Sequence, residues 1–392
     1  MSQSIAIKTM ALRNDSWHID FKLLIPVMAL ISIGLIMVAS ASFSFAEYKF
    51  GDHFFFVKRH FAYLILGLCA MALCFYVRPD FWANYSLLWV LLSVLLLIAV
   101  LIPGVGLNLN GSRRWLSLGG FTLQVSEFAK IATVIFLATK LEKYRDTLSD
   151  NWMQFGKLIA VITLLALLLI LEPDFGSVAV LSCTFLAMLF LGGSHIRQFT
   201  SLLLVAMGAF WLMVTAAPYR LARLTTYLDP WSDQFNSGYQ LTQSLIAFGR
   251  GELFGVGLGQ SVQKMLYLPD AHTDFVFAIY AEEFGFIGVI ALLLLYSFLV
   301  VRIMQLGKKA IANQQWYAVY TLTGFGLLLS GQAFINLGVN AGLLPTKGLT
   351  LPFVSYGGSS LLVCCAMVGI MLRLSHEIHR TKTVVGRSGY AK

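Results

Sequence analysis

The chain has 392 residues, of which 58% are hydrophobic and only 12% charged, and its mean hydropathy is +0.76. A soluble protein of this length carries roughly a quarter charged residues, so the composition excludes a water-soluble globule and indicates an integral membrane protein. The net charge of +9 is not gathered in basic runs interleaved with aromatics, which excludes a typical nucleic-acid-binding surface, and the five cysteines lie in apolar runs without metal-ligand spacing.

Apolar runs long enough to cross a membrane recur along the chain. About 20 such residues span the hydrocarbon layer as a helix that leaves no backbone group unpaired. The sequence predicts an all-α, polytopic fold with about ten transmembrane helices, at residues 21–41, 57–77, 84–102, 125–141, 156–171, 176–192, 198–217, 275–301, 316–341 and 355–374. They form one membrane domain (21–374) between a cytoplasmic N-terminal tail (1–20) and a basic cytoplasmic C-terminal tail (375–392).

The distribution of Lys and Arg predicts the orientation. Most of these residues share one side of the membrane when the N-terminus is placed in the cytoplasm, and cytoplasmic loops are enriched in basic residues. We therefore expect both termini to be cytoplasmic. The outer face then carries long loops at 103–124 and 218–274, the second between helices 7 and 8, and a short one at 342–354. Leu241–Gly249 is predicted to form a short amphipathic helix at the interface.

The most informative stretch is Leu268–Phe277, which closes the long outer loop and opens a transmembrane helix. Asp270, His272 and Asp274 are therefore expected at the outer boundary between water and lipid. Asp274 is a candidate catalytic carboxylate there. Thr273 or Asp274 is alternatively a simple N-cap of the helix, and the two interpretations are compatible, because a capping carboxylate also accepts protons.

Charged residues inside apolar segments are the next candidates. Glu282 and Glu283 follow in the same helix, either lining a polar pathway or paired with neighbouring helices. Glu127 and Lys130 are three residues apart on one helical face, so they are predicted to pair, for function or as structural glue.

Two further regions favour a binding site on the outer side. Arginine suits phosphate because its planar fork donates two parallel hydrogen bonds. Outer cations are thus expected to converge on an anionic head group, although each alone also fits an interfacial side chain that reaches towards water. The prolines and glycines of Leu344–Ser360 imply irregular backbone, which is tolerated at membrane depth only against protein or a water-filled cavity. The candidate cations are Arg59, Arg113, Arg114, Arg220, Arg223 and Lys347.

These stretches together resemble the shape, elongation, division and sporulation (SEDS) family of bacterial membrane proteins. Asp270 occupies a position where the family often has glutamate. The amino-acid sequence of residues 341–360 resembles the cell-division (FtsW) branch more than the elongation (RodA) branch. The resemblance covers most of the chain, in the stretches Asn110–Lys130, Glu172–Ser177, Asp229–Gly259, Leu268–Gly285 and Asn336–Ser360.

The resemblance implies a peptidoglycan glycosyltransferase that polymerises lipid II outside the cytoplasmic membrane, at the division septum. It makes Asp274 the catalytic candidate. We hypothesise that Asp274 is the general base for the acceptor hydroxyl, because the pyrophosphate leaving group is already a stable anion. The substrate-binding candidates are Arg113, Arg114, Glu127, Lys130, Arg220, Arg223, His272, Lys347 and Ser355.

Alternative functions stay open at this point. A lipid II flippase would fit the intramembrane charges, and a non-catalytic division scaffold would need none of the chemistry. The family also implies a class B penicillin-binding protein, a transpeptidase, and other division-site membrane proteins as partners. No ligand spacing demands a cofactor, and a divalent cation (Mg²⁺ or Mn²⁺) sharing the pyrophosphate charge remains an open alternative.

Overall fold

The computed structural model describes residues 17–109, 112–215, 227–346 and 348–388. The first part contains α1 (Phe21–Phe50), α2 (Phe55–Tyr76), α3 (Pro79–Asn84) and α4 (Ser86–Leu101), followed by β1 (Gly106–Leu109), β2 (Ser112–Leu118) and β3 (Phe121–Gln124). The helices α5 (Val125–Tyr144), α6 (Trp152–Leu171), α7 (Phe175–Leu191) and α8 (Ile196–Thr215) come next. The last part contains α9 (Tyr239–Gly251), α10 (Val276–Ala312), α11 (Trp316–Asn340) and α12 (Gly358–Ser388).

Each of the ten predicted spans coincides with a helix, so the all-α polytopic prediction is confirmed. Among the described residues, α1, α2, α6, α10, α11 and α12 are long and apolar enough to cross a membrane, and α4, α7 and α8 are shorter apolar helices. The fourth predicted span, α5, is less apolar because it carries Glu127 and Lys130 near its start and Lys140, Glu142 and Lys143 near its end. The short helix predicted within 241–249 is present as part of α9.

Polar contacts at one end of the bundle join the start of α1 to two later helices. Asp20 caps α1 by accepting from the Leu23 N–H at 3.2 Å, and Arg302 of α10 donates to the same carboxylate at 2.5 and 3.2 Å. Ser375 of α12 completes the cluster at 3.1 Å. A buried carboxylate needs such partners, and these three segments are therefore fixed to one another.

The segment 103–124, predicted as an outer loop, contains a small antiparallel sheet in the order β1-β2-β3. Trp115 of β2 pairs with Gln124 of β3, the last residue before α5. The sequence prediction did not include this sheet, which satisfies backbone hydrogen bonds within a short segment. It also brings β2 close to the ends of the membrane helices.

Helix α10 is broken near its start, where Gly285 has φ 65° and ψ −167°. The backbone that follows α9 fills the break. The carbonyls of 282–283 accept from the N–H groups of 256–257 at 3.0 Å, and the N–H groups of 286–287 donate to the carbonyls of 252–253 at 2.9 and 3.2 Å. The groups that the break frees are thus paired with the inserted segment, as membrane-embedded backbone requires.

The two acidic residues beside this break are buried and paired. Glu282 contacts Arg250 Nη1 at 2.9 Å and Ser261 Oγ at 2.5 Å, and Glu283 contacts Lys264 Nζ at 2.7 Å. The partners come from α9 and the segment after it. The structure therefore favours the paired alternative over an open polar pathway.

Two helices extend beyond their predicted spans. Helix α1 continues to Phe50 and ends at Gly51, whose φ of 67° suits a helix terminus. Helix α12 continues through most of the predicted C-terminal tail, to Ser388. Hydrophobic runs mark the part of a helix that lies in lipid, so they underestimate helices that project into water.

Candidate functional site

Asp274 lies in a turn that immediately precedes α10. The Asp270 carbonyl accepts from the Asp274 N–H at 3.1 Å, and the Asp274 carbonyl accepts from the side-chain amides of Asn336 and Asn340, each at 2.9 Å. Both the backbone N–H and the backbone carbonyl of Asp274 are therefore held by hydrogen bonds. The N-cap of α10 is Phe275 and makes no side-chain cap hydrogen bond, so the carboxylate of Asp274 is not used to cap this helix.

The carboxyl of Asp274 is set up to exchange a proton near neutral pH. Burial raises its pKa to about 7, the negative charge of Asp270 acts in the same direction, and the guanidinium of Arg114 acts against both. A general base works best when its pKa lies near the working pH.

One wall of the site is the irregular segment after α11. The Gly348 backbone lies against Asp274 so closely that a Cβ on Gly348 would be 3.0 Å from Oδ2. Asn336 Nδ2 also donates to the Leu349 carbonyl at 2.5 Å, and Gln332 Nε2 donates to the Thr350 carbonyl at 3.0 Å. The broken backbone predicted for Leu344–Ser360 therefore packs beside the candidate base.

The predicted pairing of Glu127 with Lys130 is present, at 2.8 Å between Oε1 and Nζ, and both residues are buried. Lys130 Nζ also donates to Gln332 Oε1 at 2.9 Å. Because Gln332 contacts Thr350, the ion pair is connected through Gln332 to the same short segment that lies against Asp274 at Gly348. Gln332 and the 348–350 segment therefore connect the Glu127–Lys130 ion pair to Asp274.

Arg114 on β2 contacts the turn between α6 and α7. Its Nε and Nη2 donate to the carbonyls of Glu172 and Pro173, at 3.1 and 2.6 Å. Next in the chain, Asp174 caps α7 and accepts from Gln124 and Ser126, at 3.2 and 2.9 Å. The small sheet thus places the Arg114 guanidinium against this turn, and its charge acts on Asp274.

His272 and Ser355 are buried against the site rather than open to it. Ser355 Oγ accepts from the Leu351 N–H at 2.8 Å. The His272 ring packs against Phe56 and Tyr356, with centroids 4.4 and 5.6 Å apart. Burial lowers the pKa of His272 to about 4, and the charge of Lys49 acts in the same direction, so its imidazole is neutral at physiological pH.

The other predicted cations are placed as follows. Arg113 is partly buried on β2, opposite Asn108 of β1. Arg220, Arg223 and Lys347 lie outside the described residues. Within the described residues, no group of three or more His, Cys, Asp or Glu side chains is arranged to hold a metal ion.

The prediction from sequence missed a polar stripe on α11. Gln332, Asn336 and Asn340 are four residues apart and are 4%, 1% and 0% exposed. Residues at this spacing share a helix face, and polar side chains inside a membrane helix face the protein interior. The four-residue spacing of these amide side chains could have identified, from sequence, the residues that hydrogen-bond the site.

Comparison with known proteins places these features in a family. A sequence model of the FtsW, RodA and SpoVE family, described as "Cell cycle protein", matches residues 21–380. A Saccharophagus degradans protein named probable peptidoglycan glycosyltransferase FtsW is 48% identical over 363 residues, 93% of this chain and 94% of that protein. A Coxiella burnetii protein of the same name is 49% identical over 362 residues, 92% of this chain and 97% of that protein.

Solved structures share the fold. A chain from a peptidoglycan synthase complex that coordinates polymerization and crosslinking superposes with a TM-score of 0.75 at 29% identity, covering 93% of this chain and 99% of that chain. The rod shape determining protein RodA of Thermus thermophilus gives a TM-score of 0.69 at 29% identity, covering 93% and 98%.

Proposed function

This chain belongs to the FtsW, RodA and SpoVE family of cell cycle proteins, and on that premise we propose that it polymerises lipid II with Asp274 as the general base. It is a multi-span membrane protein and a peptidoglycan glycosyltransferase, the activity named for relatives that match nearly its whole length. The assignment of individual residues rests on the geometry of the site.

The observation that carries the residue assignment is the environment of Asp274. Partial burial raises the pKa of its carboxyl to about 7, the charge of Asp270 acts in the same direction, and its backbone is fixed on both sides. A partly buried carboxylate with this pKa is basic enough to remove a hydroxyl proton as a bond forms, and it remains ionised in much of the population at neutral pH.

In the proposed step, Asp274 removes the proton of the acceptor sugar hydroxyl while the oxygen attacks the anomeric carbon of the donor. The bond from that carbon to the pyrophosphate oxygen breaks, and its electron pair leaves with the undecaprenyl pyrophosphate. A single displacement converts the α-linked pyrophosphate into a β-1,4 glycosidic bond. The proton is then on Asp274 and passes to water before the next cycle.

The leaving pyrophosphate needs positive charge rather than a proton. Arg114 has the best-supported position for this role, because its charge already acts on Asp274. We assign Arg113, Arg220, Arg223 and Lys347 to the same anionic group as a set. The buried pair of Glu127 and Lys130 would act through the segment that it shares with Asp274.

Glycan synthesis from purified lipid II tests the assignment. Asp274→Asn keeps the size of the side chain and removes the base, so we expect the rate to fall by about 10²–10⁴ while the protein elutes from size-exclusion chromatography as the wild type does. Asp270→Asn is the matched control in the same turn, and we expect it to retain activity at pH 8. An active Asp274→Asn variant would refute the base. Absence of glycan from the wild type, alone and with a transpeptidase, would favour a flippase or scaffold.

The mechanism requires Asp274 to face the periplasm, with both termini in the cytoplasm. In a background without the native cysteines, Ser232→Cys places a single thiol on an exposed position before α10, and Ala312→Cys places one at the exposed last residue of α10. A membrane-impermeant maleimide should label the first and not the second in spheroplasts. The reverse pattern would overturn the orientation and the mechanism with it.

A division-site location and a transpeptidase partner are the remaining parts of the proposal. Their support is the relatives named FtsW and the match to a chain of a peptidoglycan synthase complex. We expect a class B penicillin-binding protein to co-purify with this chain and to increase the rate of glycan synthesis. If the rate of glycan synthesis does not change when the partner is added, polymerisation does not depend on the complex.

A further inference from the structure

The most conspicuous polar groups that the mechanism leaves unused are two buried amides on α11. Asn336 and Asn340 lie one turn apart, and both donate to the backbone carbonyl of Asp274 at 2.9 Å. A carbonyl oxygen has two lone pairs, so two side chains from one helix satisfy it completely. We propose that Asn336 and Asn340 are positioning residues that hold the carboxylate of Asp274 for the reaction, an inference that rests on the function proposed above.

Asn336 holds two walls of the site at once. One N–H of its amide is directed at the Asp274 carbonyl and the other at the Leu349 carbonyl, at 2.9 and 2.5 Å. Leu349 follows Gly348, whose backbone lies against the Asp274 carboxylate. A single planar amide therefore sets the distance between the base and the backbone that faces it.

Asn340 links the same turn to two helices. Its Nδ2 donates to the Asp274 carbonyl, and its Oδ1 accepts from the Ala278 N–H in the first turn of α10 at 3.1 Å. The Asn340 carbonyl accepts from Ser244 of α9 at 2.7 Å. Donor and acceptor of one amide thus fix both the residue that carries the base and the helix that follows it.

Restricted movement matters here because the base must meet a hydroxyl that is itself bound to a large substrate. A displacement of about 1 Å in a catalytic group costs on the order of 10²-fold in rate. Loss of either asparagine removes one of the two hydrogen-bond donors to the Asp274 carbonyl. The turn is then free to move towards water. A purely structural role predicts less folded protein and no change in the chemistry of the molecules that remain folded.

The pH dependence of the rate separates these two roles. Asp274 must be ionised to act, so the rate falls as the pH drops through the pKa of Asp274. The charged groups that act on Asp274 are Asp270, in its own turn, and Arg114 on β2, while the adjacent His272 is neutral. Greater access of water lowers a pKa that burial has raised, so a loosened turn moves the midpoint to lower pH.

The experiment measures kcat, KM and the pH midpoint of purified Asn336→Ala and Asn340→Ala, each normalised to folded protein by size-exclusion chromatography. We expect kcat to fall by about 10–100-fold, KM to change less than about threefold, and the midpoint to move down from about 7. Asn313→Ala is the matched control, because Asn313 also donates to a backbone carbonyl (Ile378, 2.9 Å) but at the opposite end of α11. Its kcat and midpoint should equal those of the wild type.

Asn340→Asp carries the test if an alanine variant does not fold, since it keeps the size and the oxygen that accepts from Ala278 but lacks the amide donor. An unchanged midpoint in folded variants, with or without a loss of yield, would overturn the positioning role. An active Asp274→Asn variant would instead overturn the base itself. The two failures are therefore distinguishable in one set of assays.

Discussion

The side chain of Arg114 donates from Nε to the backbone carbonyl of Glu172 at 3.1 Å, which joins the small sheet β1-β2-β3 to the turn between α6 and α7. Burial raises the pKa of Asp274 and of the Glu172 carboxyl, and the same guanidinium opposes both increases. Arg114 therefore anchors a turn, and among the described residues it is the cation whose charge acts on the proposed base. These two roles make different predictions when its charge is removed.

Replacing Arg114 with Gln should weaken substrate binding and raise the pH midpoint of the reaction. A charge-assisted hydrogen bond is worth about 1.5–3 kcal/mol, so loss of one to a pyrophosphate raises KM by about tenfold or more. The positive charge of Arg114 favours the ionised form of Asp274, so the pKa of Asp274 rises when that charge is removed. Steady-state rates across pH 5–9 with purified lipid II measure both quantities.

Arg59→Gln is the matched control for this change. Arg59 Nη2 also donates to a backbone carbonyl of the small sheet region, that of Gly120 between β2 and β3, at 2.9 Å. We expect its pH midpoint to equal that of the wild type. If Arg114→Gln leaves both KM and the midpoint unaltered, Arg114 only anchors the turn.

Replacing Asp270 with Asn should shift the pH midpoint in the opposite direction. Asp270 raises the pKa of Asp274 by charge repulsion, so the neutral amide lowers that pKa and activity persists to lower pH. Asn suits the position because Asp270 has φ 54°, a conformation that Asn tolerates well. The rate at pH 8 should stay within about twofold of wild type. A midpoint that moves upward would contradict the assignment of Asp274 as the titrating base.

How far the sequence predicts this molecule depends on the feature. Apolar runs identified each membrane helix, because lipid imposes a composition on every residue that crosses it. The same rule could not reveal the break in α10: the helix continues in sequence on both sides of Gly285, and the backbone that fills the break comes from 252–257. Pairing between distant backbone segments leaves little trace in composition.

The candidate site was predictable to a similar extent. Asp274 was a candidate because it lies at the outer start of a predicted membrane helix, where a carboxylate also fits an N-cap, and the family resemblance pointed to the same residue. The packing of Gly348 against that carboxylate depends on the path of an irregular segment, which no periodicity describes. Asn336 and Asn340 carry a readable four-residue spacing, but the partner they hold is a backbone carbonyl, and any residue type supplies one.

Replacing Glu172 with Gln should stabilise the protein at alkaline pH. The carboxyl is buried and neither oxygen has a hydrogen-bond partner. Burial is the main cause that raises its pKa from 4.5 to about 8, with Asp174 adding to the shift. The folded protein thus binds a proton that the unfolded chain has released, and stability falls as the pH rises from 4.5 towards 8. The cost is up to about 1.4 kcal/mol per pH unit in that window.

Thermal melting in detergent at several pH values measures this effect. Glutamine cannot ionise, so Glu172→Gln should melt at a higher temperature than the wild type at pH 8 and at nearly the same temperature at pH 5. Glu252→Gln, an exposed carboxylate in the turn after α9, should leave the pH dependence unaltered. A parallel pH dependence in Glu172→Gln and wild type would mean that Glu172 is ionised in the folded protein.

Replacing Gly255 with Ala should disrupt the insertion of 252–257 into the break of α10. Gly255 has φ 81°, and a Cβ there would lie 2.2 Å from the Glu283 carbonyl oxygen, a backbone atom that cannot rotate away. The positive φ alone costs roughly 1–2 kcal/mol for alanine, and the overlap adds to it. Gly249→Ala is the control in the same region, because a Cβ at that position meets nothing within 4 Å. We expect Gly255→Ala to lose monodisperse protein and to melt well below Gly249→Ala, whereas equal melting temperatures would show that this segment is not fixed in the break.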